Sequence, residues 1–485
     1  MQVPLLQTPV FGKFPAMPSQ YESEISLGQA IFGGIDLGDA RRTVRLVKTF
    51  DLIQKHPGGT LPDKLQSPAP LRALYRLCNR KEVTHAGIIA AAREHTFKEI
   101  AACTDAVLVV HDGTELDFTS LASLADELGQ IGEGHGRGFE CQNVLAVNAK
   151  TGDVLGLLDQ ILHRRDEVPD NEPLAEHRER ETRESLLWLH GTKHLPADRK
   201  LIDVADQGAD TFEFLEHEYC SGRRFVIRVH KSRKVYAGHE PIGQRYVLKG
   251  YARSLPELGH FTMDVQPQRG RKARKDAEFV VRGGPLLVCP PHAKYGRHGN
   301  KPLPLYVVQV TEVSPPPGEK TIEWTLLTNE PVATFDDALR VTSWYERRWT
   351  VEEYHKAQKT GCQIEDMQFT TTARLEPAIA LLSVVATTLI QLRDASRHPE
   401  AKSRLATTLV ASEYVEVLSM WRHGRICTDW TMHDFYFALG RLGGHQNRKC
   451  DGHPGWLVLW RGWAKLQSML DGYAAAQRAT RCGKT

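Results

Sequence analysis

The 485-residue chain carries 62 Lys+Arg against 59 Asp+Glu, a formal net charge of +3, with 41% hydrophobic and 25% charged residues. That composition excludes a disordered chain and is too long for one ordinary core, so two to four domains are expected. Total charge does not announce a nucleic-acid binder; only its local distribution can.

Nine scattered cysteines without a C-x-x-C pair argue against a zinc site or a disulfide framework and fit a reducing cytosol. The stretch Met1–Ser26 lacks the basic-then-apolar pattern of a signal peptide. A soluble cytoplasmic protein without a membrane partner is expected.

Residues 1–30 read as irregular, with several prolines. A helix is expected to start at Asp39 as N-cap, with Arg41, Arg45 and Lys48 on one face and Val44, Leu46, Val47 and Phe50 elsewhere. A second helix follows Ser67 and carries Arg72, Tyr75, Arg76, Arg80 and Lys81. Such basic faces suit phosphates, and surface solubility explains them equally well.

From Ala106 the pattern changes to a short β run ending at Asp112, and two further strands flank a turn at Lys150–Asp153. The charged stretch His163–Glu184 reads as a loop leading into a helix at Leu186–Leu189. Another buried-strand signature, K-L-I-D-V-A, ends at Asp206 and leads into the helix Thr211–His217 and the strand Arg224–His230. Residues 232–322 read as a mainly β insertion that contains the basic run Arg269–Lys275. A strand over Thr321–Leu327 then leads into a helix containing Asp336–Leu339.

The stretch Tyr345–Lys359 has no Gly or Pro and predicts a helix of about four turns. On it Tyr345, Arg348, Glu352, Lys356 and Lys359 share one face. A solvated face with an i,i+4 ion pair is the ordinary meaning of such a pattern. Pro377–Leu392 is apolar but broken by Ser and Thr and short for a membrane span, so it reads as a buried helix. The last hundred residues read as helical, and Trp456, Trp460 and Trp463 form a stripe suited to core or to an oligomer contact.

Asp112 and Asp206 stand where buried strands run out, the place where open α/β sheets build their sites, though such aspartates also simply form turns. Together with Glu352 they make a rarer set. Three converging carboxylates can hold a pair of Mg²⁺ ions about 3.5–4 Å apart across a phosphodiester.

The spacing Y-x2-R-x3-E-x6-K, met by Tyr345, Arg348, Glu352 and Lys359, resembles the signature of the YREK subgroup of bacterial cut-and-paste DDE transposases. The strings W-T-L-L-T-N-E-P-V, D-Q-G-A-D, G-D-A-R-R-T-V-R-L, A-L-G-R-L-G-G and L-W-R-G-W-A-K-L-Q-S-M-L-D-G are similar again, so the resemblance runs from about Leu37 to Tyr473.

The resemblance implies an α/β fold with an RNase H-like catalytic core over residues 86–385, whose β-rich insertion spans about 232–322. It implies an N-terminal helical DNA-binding domain over 1–85 and a C-terminal helical dimerisation domain over 386–485. Asp112, Asp206 and Glu352 would be catalytic metal ligands for Mg²⁺, with Mn²⁺ as substitute. Tyr345, Arg348 and Lys359 would hold phosphates, and Trp324 would stack on a flipped base. Arg228, Arg233 and Lys234 match a basic DNA-contacting strand and loop, and Arg41, Arg42 and Arg45 are the expected N-terminal DNA contacts.

The implied activity is cleavage of transposon ends through a hairpin intermediate and their joining to target DNA. The implied partners are double-stranded DNA and a second copy of the chain in a synaptic homodimer. A related nuclease without strand transfer and a non-catalytic DNA-binding regulator are the alternatives. Three positions depart from the family pattern: Gly113 follows the first Asp where a Thr is usual, Gln207 and Gly208 replace an Arg-Glu pair, and His230 replaces a lysine.

Overall fold

The computed structural model describes residues 25–482, apart from 133, 167–171, 174–175, 177–178, 266–270, 292–297, 409 and 449–450. The irregular start expected over residues 1–30 lies mostly outside the described residues. So do part of the 163–184 stretch and Arg269 and Gly270 of the basic run.

Five helices come first: α1 (Leu27–Phe32), α2 (Ala40–Lys55), α3 (Leu61–Leu65), α4 (Pro68–Cys78) and α5 (His85–Ala102). Asp39 caps α2 by accepting from the Arg41 N–H at 2.9 Å, which satisfies one of the donors a first turn leaves orphaned. Leu46, Val47, Phe50 and Ile53 turn one stripe of α2 inward, and Phe50 meets Phe32 edge-on with ring centroids 5.3 Å apart. α4 starts where expected, with Pro68 at a position that needs no N–H.

The chain then lays down β1 (Val107–Asp117), β2 (Gly129–Gln130), β3 (Arg137–Asn148), β4 (Val154–His163), α6 (Leu187–Lys193), β5 (Leu201–Ala205), α7 (Phe212–Cys220) and β6 (Arg224–Arg228). In space the order is β4-β3-β1-β5-β6; the first three strands are antiparallel, whereas β1, β5 and β6 run parallel. This mixed sheet, flanked by helical segments at both ends of the chain, is the expected RNase H-like α/β architecture. All five residues of β5 are buried, as parallel strands covered on both faces are.

The β-rich segment contributes β7 (Lys234–Ala237), β8 (Tyr246–Val247), α8 (Leu248–Ser254), β9 (Glu257–Val265), β10 (Arg274–Val288) and β11 (Leu303–Glu312), followed by β12 (Glu323–Thr328). It does not form a sheet of its own. β12 pairs with β6, and β11, β10, β7 and β8 extend the same sheet outward, so the open edge of β6 is covered by strand pairing.

Two local expectations need correction. The first strand does not end at Asp112: β1 runs on to Asp117, because its antiparallel partner β3 carries the ladder through Asp112↔Asn143 to Asp117↔Gly138. What ends at this point is the parallel ladder, whose last pair is His111↔Ala205. The stretch Tyr345–Lys359 is also not one helix. It spans the end of α9 (Phe335–Glu346), then α10 (Trp349–Lys356), then a five-residue π turn, Ala357–Gly361. At the joint Arg347 and Arg348 keep helical dihedrals, but the bonds tighten to i→i+3: Arg348 N–H to Tyr345 O, Thr350 to Arg347 and Val351 to Arg348.

α11 (Thr372–Arg397) follows, then α12 (Ser412–His423), α13 (Met432–Leu442) and α14 (Trp456–Cys482). α11 is long and apolar enough to cross a membrane, with mean hydropathy 1.7 over 18 residues, yet 89% of that window is buried inside the protein. It packs on α5 and β4, touches α2 and α4, and is covered by α13 and α14. It also passes through position 385 without a break.

Trp456, Trp460 and Trp463 are all buried, and Trp463 stacks on Tyr414 of α12 with centroids 5.1 Å apart. α13 and α14 cross through glycines. A Cβ at Gly443 would lie 1.7 Å from Val458 O and one at Gly462 would lie 1.9 Å from Leu439 O, so the contact is backbone on backbone.

Candidate active site

The register of the sheet brings the two aspartates together. Asp112 and Asp206 are each the next residue after the last parallel pair, His111↔Ala205, so they stand side by side, Asp112 within β1 and Asp206 just past the end of β5. Asp206 caps a tight 3₁₀ turn, its Oδ1 accepting from Gly208 N at 2.8 Å. That turn has room only for glycine here: a Cβ at Gly208 would lie 2.2 Å from the Trp188 ring. The Asp112 Oδ1 accepts from the Gly113 N–H at 3.1 Å.

Glu352 comes from α10, which is pinned to α11 from below. The Tyr354 hydroxyl donates to Ser383 O at 2.9 Å, and Gln358 Nε2 donates to the Ser383 hydroxyl at 3.0 Å. Arg348 joins the two walls. Its Nη1 lies 3.0 Å from Asp112 Oδ2, and its Nη2 lies 3.4 Å from Glu352 Oε1. Burial raises the Asp112 carboxyl to about 7; the Arg348 cation opposes that rise, and the charges of Asp206 and Glu352 add to it. Asp206 and Glu352 are therefore each within electrostatic reach of Asp112.

His355, which the sequence reading did not single out, completes a donor cluster. One ligand atom each from Asp112, Glu352 and His355 lies within 4.8 Å of the others. The His355 Nε2 is buried and has no hydrogen-bond partner among the described residues. Burial, then the Lys359 and Arg348 cations, lower its pKa to about 3, so the ring is neutral and able to donate a lone pair. The signal was present as Glu352-x-x-His355, a spacing that puts a carboxylate and an imidazole one helical turn apart. Two carboxylates and an unpartnered neutral imidazole fit a divalent cation.

The other expected residues fall into three groups. Tyr345, Trp324 and Arg228 form one cluster beside the carboxylates. The Tyr345 ring is buried, edge-on to Trp324 at 5.6 Å and with the Arg348 guanidinium 5.9 Å from its centroid. Burial raises the Tyr345 phenol, while Arg348, Arg228 and a side-chain hydrogen bond with Arg228 pull it back. Lys359 sits on the π turn, its Nζ 3.2 Å from Glu365 Oε1. Lys356 instead lies 5.8 Å from the exposed Trp349 ring.

The second group is the loop after β6. Arg233 is buried, and its Nε and Nη2 donate to Asp210 Oδ1 at 3.0 and 2.6 Å, so in this conformation the guanidinium ties down the loop. Lys234 is exposed. The third group is on α2, where Arg41 and Arg45 are exposed. Arg42 instead donates to Leu37 O at 2.7 Å and pairs with Glu82 at 3.0 Å.

Beneath the aspartates lies a buried polar network. His111 Nε2 is 2.7 Å from Asp203 Oδ1, and Asp203 Oδ2 accepts from Arg223 Nε and Nη2 at 3.1 and 2.7 Å. Arg223 also lies 3.3 Å from Glu218 and donates to Leu195 O and Pro196 O. A histidine and an aspartate inside two otherwise apolar strand runs were the sequence signal for it.

Comparison with known proteins agrees with part of this picture. Residues 28–83 match the family model described as transposase DNA-binding. Among solved structures the chain is similar to a piggyBac transposase, seen by cryo-EM as a synaptic complex with hairpin DNA, at 10% identity and a TM-score of 0.29. The match covers 76% of this chain and 64% of that one, less than two thirds of the relative's length. The chain thus joins a segment that matches the transposase DNA-binding model, α1 to α4, to an α/β core that carries a candidate metal-coordinating cluster.

Proposed function

We propose that the protein is a cut-and-paste DNA transposase of the DDE class and YREK subgroup, acting on double-stranded transposon ends as a synaptic homodimer. The observation that carries this reading is the convergence of Asp112 and Asp206, level at the end of the parallel ladder, with Glu352 on α10 and Arg348 between them. The DNA-binding family match over 28–83 supports it from another part of the chain.

In this reading Asp112, Asp206 and Glu352 hold Mg²⁺, or Mn²⁺ in its place. When bound, such ions activate the attacking oxygen and stabilise the leaving one in phosphoryl transfer. The protein's own residues supply grip and orientation. The Arg348 guanidinium, a planar fork suited to a phosphate, stands beside the carboxylates, where it would meet a phosphate of the scissile strand. Lys359 and the Tyr345 hydroxyl lie to either side along the same segment, and Trp324 offers a partly buried aromatic beside Tyr345 for an extruded base. The overall sequence is hydrolysis at the transposon end, attack of the freed 3′-hydroxyl on the opposite strand to give a hairpin, reopening, and joining to target DNA.

Glu352→Ala tests the assignment. It should abolish strand cleavage while leaving binding of end DNA largely intact; undiminished nicking by this variant overturns the reading. Pre-cleaved ends supplied to the wild type distinguish a transposase, which joins them, from a nuclease, which does not.

A further inference from the structure

The donor cluster is not made of oxygen alone, and that bears on which ion it selects. We propose that His355 is a nitrogen ligand of the metal centre, and that it makes one of the ion positions selective for first-row transition ions such as Mn²⁺ over Mg²⁺. This rests on the metal-centre reading above and sharpens it to the identity of the ion.

Three observations converge. His355 contributes one of the three donor atoms that lie within 4.8 Å of one another, together with Asp112 and Glu352. Its Nε2 is buried and unpaired among the described residues, although a buried polar atom left without a partner costs about 1–3 kcal/mol. A core histidine retained only for packing would be expected to satisfy that nitrogen. The side chain is also aimed by the local fold: it sits one turn after Glu352 on the same helix, directly before Lys356 and the π turn Ala357–Gly361. Single π turns of this kind recur at functional sites because they rotate one helical face relative to the next.

The chemistry then separates the ions. Mg²⁺ takes oxygen ligands and keeps much of its water, whereas first-row transition ions gain from imidazole nitrogen in the order Mn²⁺ < Fe²⁺ < Co²⁺. Asp206 is not part of the nitrogen-containing cluster found among the described residues; it stands level with Asp112, just past the end of the neighbouring strand. Two ion positions sharing Asp112 would accordingly be unequal, one with Glu352 and His355, the other with Asp206 and oxygen only.

The test uses the untagged full-length chain and Mn²⁺ alone. Pulsed EPR of bound Mn²⁺ should show modulation from a directly coordinated ¹⁴N, and growth on ¹⁵N-histidine should change that modulation without any mutation. His355→Gln should remove it and weaken Mn²⁺ binding by about tenfold or more, with a much smaller change for Mg²⁺. A thermal melt of the variant checks that it is folded. Mn²⁺ that binds in a Glu352-dependent manner without nitrogen coupling overturns the role of His355 and leaves the carboxylate centre standing. Mn²⁺ binding indifferent to Glu352→Ala overturns both.

Discussion

Arg348 and Asp112 meet at 3.0 Å across the joint between α10 and the central sheet, and the same guanidinium reaches Glu352. One cation thus offsets the repulsion among three carboxylates that the fold forces together. It does so incompletely, since burial still leaves the Asp112 pKa at about 7 against an ordinary value of 3.8.

That residual strain has a defined pH signature. A carboxyl whose folded pKa is raised binds its proton more tightly when folded. Its stabilising contribution is complete below about pH 3.8 and is lost as pH rises through about 7. In metal-free protein Asp112→Asn should therefore match the wild type near pH 4 and exceed it at pH 8. The shift of about three units sets an upper bound of about 4 kcal/mol. Urea unfolding at the two pH values reads the difference, and a variant equally stable or less stable at pH 8 contradicts it.

The network under the site should behave in the opposite sense. Asp203 accepts from both His111 and Arg223 with its side chain almost fully buried, so Asp203→Ala leaves a buried guanidinium short of its main counter-charge. A loss of about 3–5 kcal/mol is expected in urea unfolding at neutral pH. A cost under about 1 kcal/mol would mean that Glu218 and the carbonyls of Leu195 and Pro196 suffice for Arg223.

On α2, two arginines close in sequence should separate by salt dependence. Arg45 is exposed and Arg42 is engaged with Leu37 O and Glu82. If the face binds DNA phosphates, Arg45→Ala should reduce the slope of log affinity against log salt by about 1. Arg42→Ala should instead lower the melting temperature with little change in slope. Equal slopes for Arg45→Ala and the wild type would remove Arg45 from the interface.

Much of this was legible in the residues, for reasons that differ from place to place. Asp39 announced a helix start because capping is a local hydrogen-bond requirement that one side chain can meet, whereas at Ser67 the start is marked by Pro68 at the first helical position and the serine side chain makes no cap bond. The carboxylates were legible because buried strand runs stand out and Asp112 and Asp206 follow them directly. His355 was passed over because its meaning depends on Asp112, more than 200 residues away, which it meets only through the packing of α10 on β1. The joint at Arg347 was invisible for a related reason. No residue there disfavours helix, and the break is set by burying Trp344 and Tyr345 while leaving Trp349 at the surface. Arg233 read as a DNA contact from the resemblance of its strand and loop to a basic DNA-contacting one, and its partner Asp210 could be recognised only once the loop was folded.

Helix α11 meets the length and apolarity of a membrane span, and what keeps it inside a globular protein is cover supplied by neighbours on both sides of it in the chain. Completeness of synthesis therefore governs its fate. A product that stopped before Ser412 would lack α12, α13 and α14 and would uncover the face of α11 that α13 and α14 shield, within an 18-residue apolar window that a membrane-insertion pathway reads by hydropathy. The C-terminal helices are in that respect a solubility device for the centre of the molecule, whatever else they bind.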